Sequence, residues 1–288
     1  MVGISKNVVK TSEKSNDIKS TLAAYTAASA VPLGALPAQL LAANKMSKIS
    51  RNLDKDTVEI VNKAADDVLD KLTNLGKKGV KINNFQNAGI NATGLPDKVL
   101  EIVNPLFATA NGKNAFFTNK PMPAANLAAN TVVVNRNKLS LSTFHELGHA
   151  HNFNNSKFWK AMQKVRTPSM LLASTFALLP ALTKDIKPKE GEELTTKEKI
   201  NNGLRKASPA LAFLSMAPML LEEGKATLNG NKWAKELLSP DNYKKVAKSN
   251  RYGYASYLAS AASFALMAFV AKGVKDKFAN KNEQKAPN

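Results

Sequence analysis

Two histidines and a glutamate within one pentapeptide are the residues of this chain best suited to chemistry. In His145-Glu146-Leu147-Gly148-His149 the two imidazoles are four residues apart. On a helix this spacing puts both rings on one face, about one turn apart, where they can bind a single metal ion. Glu146 lies beside them, where a carboxylate can accept a proton. The pentapeptide therefore predicts a metal site with a base next to it.

A catalytic zinc ion needs three protein ligands and one position open to water. The chain has no cysteine, and its third histidine, His151, is two residues beyond His149 and so faces roughly the other side of the helix. We expect His151 at the surface or beside a ligand. The third ligand must then be a carboxylate. Glu222 and Glu223 end an apolar segment, where burial is costly without a cation. Spacing alone leaves open which of them binds, and whether both are simply the solvated end of a helix.

Predicted secondary-structure elements would position these residues. The β-branched run at residues 131–134 predicts a strand followed by a polar turn. Ser140, Ser142 and Thr143 are typical N-cap residues, so the helix that carries the pentapeptide is expected to begin there. Further predicted elements are an amphipathic helix over residues 50–75, short strands at 80–82 and 115–118, and a short helix at 97–103. The fold class predicted from these elements is mainly α with a small β-sheet.

Several motifs together resemble one enzyme family. They are Asn114-Ala115-Phe116-Phe117-Thr118, the strand at 131–134, the pentapeptide 145–149, two apolar segments and Glu223-x-x-Ala226. This order is similar to that of the membrane-embedded gluzincin peptidases, which include HtpX and the CAAX prenyl endopeptidases. The resemblance covers roughly residues 110 to 230, and the pentapeptide is its specific part. It implies a zincin-like core with Glu223 as third ligand. Thr227 stands where the family has an aspartate, which removes a charged partner for a ligating histidine.

Two further expectations concern the substrate. In zincins an edge strand beside the metal helix receives the substrate backbone, and Ala115, Phe116 and Phe117 are the candidate strand. No histidine follows Glu223, so Arg251 and Tyr252, in a cluster with Tyr254 and Tyr257, are the candidates for stabilising an oxyanion. The alternative for that cluster is an aromatic and basic anchor at a membrane interface.

Composition limits the class of protein. The chain has 288 residues, 44% of them hydrophobic, and a formal net charge of +19. It can therefore form one sizeable domain, or a smaller domain with membrane segments. Without cysteine it has neither disulfides nor thiolate zinc sites. Its lysines are spread along the chain without a nucleic-acid motif, so anionic membrane lipid, and not nucleic acid, is the expected charged partner.

Uncharged stretches predict a membrane protein. They cover residues 20–44, interrupted by Pro32 and Pro37, and residues 167–183, 207–221 and 252–271. The first and last are long enough to span a bilayer, whereas the middle two fall somewhat short of the roughly 20 residues a perpendicular helix needs. The alternative is a shallow hairpin or helices buried in a soluble protein. The predicted organisation is a basic tail (1–19), an apolar segment and candidate membrane helix (20–44), a zincin core (45–166), an apolar helical hairpin (167–221) with a charged linker (184–206), a third-ligand segment (222–251), an apolar helix (252–274) and a polar tail (275–288).

The residues and the resemblance together predict a zinc-dependent endopeptidase. One zinc ion per chain, held by His145, His149 and Glu223 or Glu222, would activate a water molecule, and Glu146 would take its proton. The expected substrates are protein or peptide chains that are membrane-bound or close to a membrane. The alternative is a non-catalytic or degenerate membrane protein in which zinc only braces the fold. A closed structural site without a replaceable water would favour that alternative.

Overall fold

The computed structural model describes residues 2–86, 94, 96–97, 100–101, 104–188 and 191–283. Within them the chain is mainly helical, at 74%, with a small three-stranded sheet. The fold class predicted from hydrophobic periodicity is thereby confirmed at this level. The short helix predicted at residues 97–103 lies largely outside the described residues.

The chain divides into two compact units. The first unit comprises residues 1–37, 166–217 and 259–288, and the second unit comprises residues 38–165 and 218–258. Helices α1 (Val2–Arg51) and α9 (Pro240–Glu283) contribute to both. Helix α1 continues through Pro32 and Pro37, where the sequence indicated an interruption. Residues 45–165 and 222–257, which carry all the predicted site residues, belong to the second unit.

Helix α2 (Lys55–Asp67) opens the core of the second unit. The Asp54 side chain caps it by accepting a hydrogen bond from the backbone N–H of Thr57 at 2.6 Å. The helix buries Val61 and continues into a π-helical turn, Val68–Leu72. A single helix over residues 50–75 was predicted. Instead α1 ends at Arg51 and α2 begins at Lys55, because Asp54 starts a new helix.

The sheet contains β1 (Lys81–Asn84), β2 (Phe116–Thr118) and β3 (Thr131–Val134) in the order β1-β3-β2. The central strand β3 is buried along its whole length, as expected for a run of three valines with a sheet partner on each side. It pairs parallel with β1 and antiparallel with β2, with Phe117 opposite Val132. Strand β2 therefore forms one edge of this sheet.

The second unit is completed by helices α3 (Pro105–Ala110), α4 (Thr143–Asn155), α5 (Lys157–Lys164) and α8 (Ala217–Leu237). The side-chain oxygen of Asn104 caps α3, and that of Ser156 caps α5. Large apolar side chains fill the core: Val61, Val68, Leu75, Val132, Leu141, Phe144, Leu147, Trp233 and Leu238. Burying side chains of this size provides the main stabilisation of the unit.

The first unit has small side chains inside and large ones outside. Helices α6 (Arg166–Leu182) and α7 (Thr196–Ser215) pack together there. The buried cluster is Ala24, Ala28, Ala177, Ala181, Ala212, Met267 and Ala271. The large apolar side chains Leu22, Leu171, Leu182, Leu214 and Phe269 are instead 62–67% exposed. This distribution is typical of helices that pack closely through small residues and present large apolar ones to lipid.

Two aspartates of the first unit form ion pairs with lysine and arginine side chains of the same unit. Asp17 lies 2.8 Å from the ammonium of Lys275 and 3.2 Å from that of Lys184. Asp276 lies 2.8 Å from the guanidinium of Arg205, which is almost fully buried. Each of these carboxylates therefore has a cationic partner within the unit.

One helix in the described part of the chain is long and apolar enough to cross a membrane, over residues Pro240–Phe278. The count rises to two if α5 and α6, which form a bent pair, make one span. Among the described residues, helices of this length and apolar composition are therefore fewer than the four uncharged stretches of the sequence. Within its described residues, helix α1, which contains residues 20–44, has no stretch that is long and apolar enough to cross a membrane.

Candidate metal centre

Helices α4 and α8 cross at two glycines. A Cβ atom on Gly148 would lie 2.3 Å from the carbonyl oxygen of Ala226, and one on Gly230 would lie 2.6 Å from that of Phe144. Any larger residue at either position would force the helices apart. Because both positions are glycine, the α4 pentapeptide reaches the first half of α8, where the two glutamates lie.

Three electronegative atoms converge at this crossing. The Nε2 atoms of His145 and His149 are 2.9 Å apart, and the Glu223 Oε2 atom lies 3.0 Å from the first and 3.3 Å from the second. Ligand atoms around a tetrahedral zinc ion with ordinary bond lengths lie about 3.3 Å from one another. The three atoms therefore have nearly the spacing of three zinc ligands.

The outer nitrogen of each ring has its own partner. His145 Nδ1 lies 3.1 Å from Thr227 Oγ1, and His149 Nδ1 lies 2.8 Å from Glu222 Oε2. An ionised carboxylate only accepts hydrogen bonds, so a neutral His149 carries its proton on Nδ1 and turns the lone pair of Nε2 inward. That lone pair then faces another imidazole nitrogen and the Glu223 carboxylate. Such a donor set fits a cation, because these atoms repel each other unless a proton or a metal ion lies between them.

The Glu222 carboxylate contacts three polar side chains. Besides facing His149, it accepts hydrogen bonds from the side-chain amides of Asn152 at 3.0 Å and Gln163 at 2.8 Å. Gln163 also donates to the backbone carbonyl of His149 at 2.9 Å. Asn229 in turn donates to Asn152. Sequence reasoning did not identify Asn152 or Gln163. Asn152 follows His149 by three residues, so its place on the same helix face was readable, whereas nothing near Gln163 indicates its role.

The charges of the site perturb one another's pKa values. Burial acts to raise the pKa of Glu223, yet the charge of His149 and hydrogen bonds from both imidazoles hold it well below its ordinary value. Burial acts to lower the pKa of His149, but Glu223 and Glu222 raise it well above 6.5. Two fully buried carboxylates thus keep their negative charge and attract either a proton or a metal ion to the same place.

Glu146 lies close to both histidines and contacts the edge of the sheet. Its Oε2 atom accepts a hydrogen bond from the backbone N–H of Phe117 at 2.8 Å. Two residues earlier, the N–H of Ala115 donates to Ser142 Oγ at 3.0 Å. The N–H groups on this side of β2 therefore point away from β3 and towards α4. Burial raises the pKa of Glu146, although the nearby histidines oppose the rise, which moves the carboxylate towards the range of a general base.

A cavity of about 680 Å³ opens beside the site. His145 and Glu146 form part of its wall, together with residues of α1, α3 and α9. From the aromatic cluster predicted to stabilise an oxyanion, Tyr257 lines the cavity. Arg251 is exposed on α9, and neither it nor Tyr252 belongs to the lining. Tyr254 packs against Gly224, the residue after Glu223.

His151 lies apart from the converging atoms. It is half-buried, and its ring meets that of Trp233 edge-on, with the centroids 5.4 Å apart. Burial and three nearby lysines lower its pKa. Groups of potential metal-binding side chains in the described residues are His145 with Glu146 and His149, and His149 with Glu222 and Glu223. Both groups surround the point where the two Nε2 atoms and Glu223 meet.

Compared with protein-family models, with curated proteins and with solved structures, the chain gives no match. The site is therefore interpreted from its own geometry.

Proposed function

We propose that this protein is a zinc-dependent endopeptidase with a zincin-like core of the gluzincin type. The observation that carries the proposal is the convergence of His145 Nε2, His149 Nε2 and Glu223 Oε2 within 3.3 Å, with Glu146 beside them on a cavity wall. One zinc ion per chain would be held by these three residues. Thr227 and Glu222 would orient the two imidazoles from behind, which makes Glu222 a positioning residue.

Zinc bound at this point would supply a Lewis acid that lowers the pKa of a water molecule and polarises the scissile carbonyl. Glu146 accepts the proton of the attacking water, and burial, which raises the pKa of this carboxyl, favours the uptake. The same carboxylic acid then protonates the leaving amine, so one proton moves from the water to the amine and the peptide bond is hydrolysed.

The edge strand positions the substrate in this proposal. Within the described sheet, strand β2 is paired on one side, and the N–H groups of Phe117 and of Ala115, just before the strand, face α4. An extended peptide can add to such an edge by main-chain hydrogen bonds, with the scissile bond next to Glu146. When it does so, it takes the Phe117 N–H and releases Glu146 to the water. Side chains of the substrate would occupy the adjoining cavity.

Membrane-bound or membrane-proximal proteins are the proposed substrates. The alanine interior and exposed leucines of the first unit support membrane embedding, as does the apolar helix Pro240–Phe278. With a net charge of +19, anionic lipids are the proposed partners. Alkaline carbonate extraction of the expressed chain tests this location. We expect the chain to stay in the membrane pellet, and its release as a soluble protein would contradict the location.

Glu146→Gln tests the enzymatic proposal. Glutamine keeps the size of the side chain but cannot accept the proton, so we expect unchanged zinc content and a loss of proteolysis of about 10²-fold or more. The measurement pairs elemental analysis with cleavage of a denatured protein substrate. Equal cleavage by the variant and the wild type would refute the role of Glu146. Zinc without any cleavage in the wild type would indicate the alternative, a site that only braces the fold.

A further inference from the structure

Helix α5 has its polar side towards the protein. Gln163 marks that side, since it donates to Glu222 and to the His149 carbonyl inside the second unit. With 100° between successive residues, Phe158 lies roughly 140° and Val165 roughly 160° around the helix from Gln163. The two apolar side chains therefore point away from the interior that Gln163 contacts.

The exposure of α5 agrees with this orientation. Phe158 is 55% exposed, Val165 at its C-terminal end is 38% exposed, and α5 itself contains no buried residue. Ala161 and Met162 complete an apolar stripe with the spacing of one helix face. An amphipathic helix on the surface of a globular domain normally turns such a stripe towards the core. Here it faces outward.

Charge and aromatic content indicate what covers this stripe. Three lysines lie along one edge of the apolar stripe: Lys157, Lys160 and Lys164. The helix has no acidic residue. Phe158 and Trp159 lie next to each other with ring centroids 4.9 Å apart. An outward apolar stripe that includes Phe158 and has lysines along one edge is the pattern of a helix that lies in the interface of an anionic membrane.

We propose that α5 is an interfacial anchor, with its apolar stripe (Phe158, Ala161, Met162 and Val165) in the outer layer of an anionic bilayer and its lysines at the lipid phosphates. Gln163, on the opposite side, connects the anchor directly to Glu222 and the His149 backbone. The anchor would thus fix the metal centre at the membrane surface. It specifies the membrane contact of the proposed function but does not depend on zinc binding or peptidase activity.

A single fluorophore on the apolar stripe gives a direct test. The chain has two tryptophans: Trp233 is buried in the core of the second unit, and Trp159 lies about 40° around α5 from Gln163, on the flank towards the protein. Trp233→Phe, Trp159→Phe and Phe158→Trp are therefore combined. The full-length variant is reconstituted into vesicles of phosphatidylcholine and phosphatidylglycerol brominated either near the headgroup or near the acyl-chain end. We expect strong quenching of the fluorophore at position 158 by the shallow bromines and weak quenching by the deep ones. Absence of quenching by both, or stronger quenching by the deep bromines, would overturn the anchor.

The charge part of the proposal is tested with Lys157→Gln together with Lys164→Gln, in the same background. This pair spares Lys160, which also contacts the Phe153 ring. We expect shallow quenching to decrease by at least twofold in anionic vesicles, whereas the control pair Lys55→Gln and Lys63→Gln, both exposed on α2, leaves it unchanged. Equal quenching in both pairs would overturn the assignment to anionic lipid. Zinc content measured on the same samples separates failure of the anchor from failure of the proposed metal centre.

Discussion

The two units of this protein bury charge in opposite ways. In the first unit the buried charges are the cations Arg205 and Lys275, which lie against the partly exposed carboxylates of Asp276 and Asp17. In the second unit, Glu222 and Glu223 are fully buried against two imidazoles that are neutral in their ordinary form. Burying their negative charges is costly unless a proton on an imidazole or a bound metal ion compensates them.

The packing differs as well. The second unit has a core of large apolar side chains, as expected of a domain stabilised by burial from water. The first unit is filled with alanine and carries leucine and phenylalanine outside. Large apolar groups contribute to stability only where water is excluded, so the first unit gains little from them in water. The comparison supports the two proposals, a buried cation in the second unit and lipid contact in the first.

Removing one imidazole tests this comparison with the largest expected effect. His149→Ala deletes one of three converging ligands, so zinc content should fall from about one per chain to near zero, as measured by elemental analysis after gentle purification. His151→Ala is the matched control, because that ring lies against Trp233 and away from the converging atoms. Equal loss in both variants, or a metal-free wild type, would contradict a cation site in the second unit.

Exchanging the two glutamates separates ligand from positioning residue. Glu223→Gln removes a charged ligand and should nearly abolish zinc binding. Glu222→Gln removes only the acceptor behind His149 and should weaken binding by about 10- to 100-fold. Competition with a fluorescent chelator gives both affinities. If Glu222→Gln lost more affinity than Glu223→Gln, the ligand assignment would have to be reversed.

How much of this site the sequence could predict depends on the distance along the chain. His145, Glu146 and His149 lie within one helical turn, so their meeting followed from spacing alone. Resemblance favoured Glu223, and the structure brings it 3.0 Å from His145. Local reasoning could not supply the contact between Gln163 and Glu222, which are 59 residues apart in sequence. Such a contact depends on how α4, α5 and α8 pack.

Helix boundaries and the oxyanion candidates show a similar limit. The sequence at residues 50–75 has helical periodicity throughout, so periodicity alone does not locate a boundary. The boundary lies where the Asp54 side chain caps α2, three residues after α1 ends at Arg51. Arg251 and Tyr252 were chosen by residue type. On a continuous helix only some members of such a cluster can face a given cavity, and here the face is the one that carries Tyr257.

Glycine substitutions compare the packing of the two units. A methyl group at Gly148 would meet the Ala226 backbone at 2.3 Å, so Gly148→Ala should destabilise the second unit by about 1–3 kcal/mol and lower zinc affinity. Gly203 on α7 of the first unit has no atom within 4 Å of such a methyl group. There Gly203→Ala should stabilise the helix by about 0.5–1 kcal/mol. Thermal unfolding of both variants gives the comparison, and equal shifts would contradict the close crossing of α4 and α8.

A change of pH should produce the smallest effect and show whether proton and metal compete for one place. The carboxylates hold the pKa of His149 well above 6.5, so metal-free protein takes up a proton there before an ordinary histidine would. This proton stabilises the metal-free fold at pH values below the unfolded pKa, and the stabilisation is lost as the pH rises through the raised folded pKa.

Zinc requires the deprotonated ring, so its apparent affinity should fall by up to about tenfold per pH unit below that raised pKa. The increase in unfolding temperature produced by a fixed zinc concentration should shrink accordingly as the pH is lowered towards 6.5. The His151→Ala variant should follow the same curve, because burial and nearby lysines lower the pKa of His151 and keep its titration below this window. A zinc affinity independent of pH across the window would mean that His149 is not a ligand.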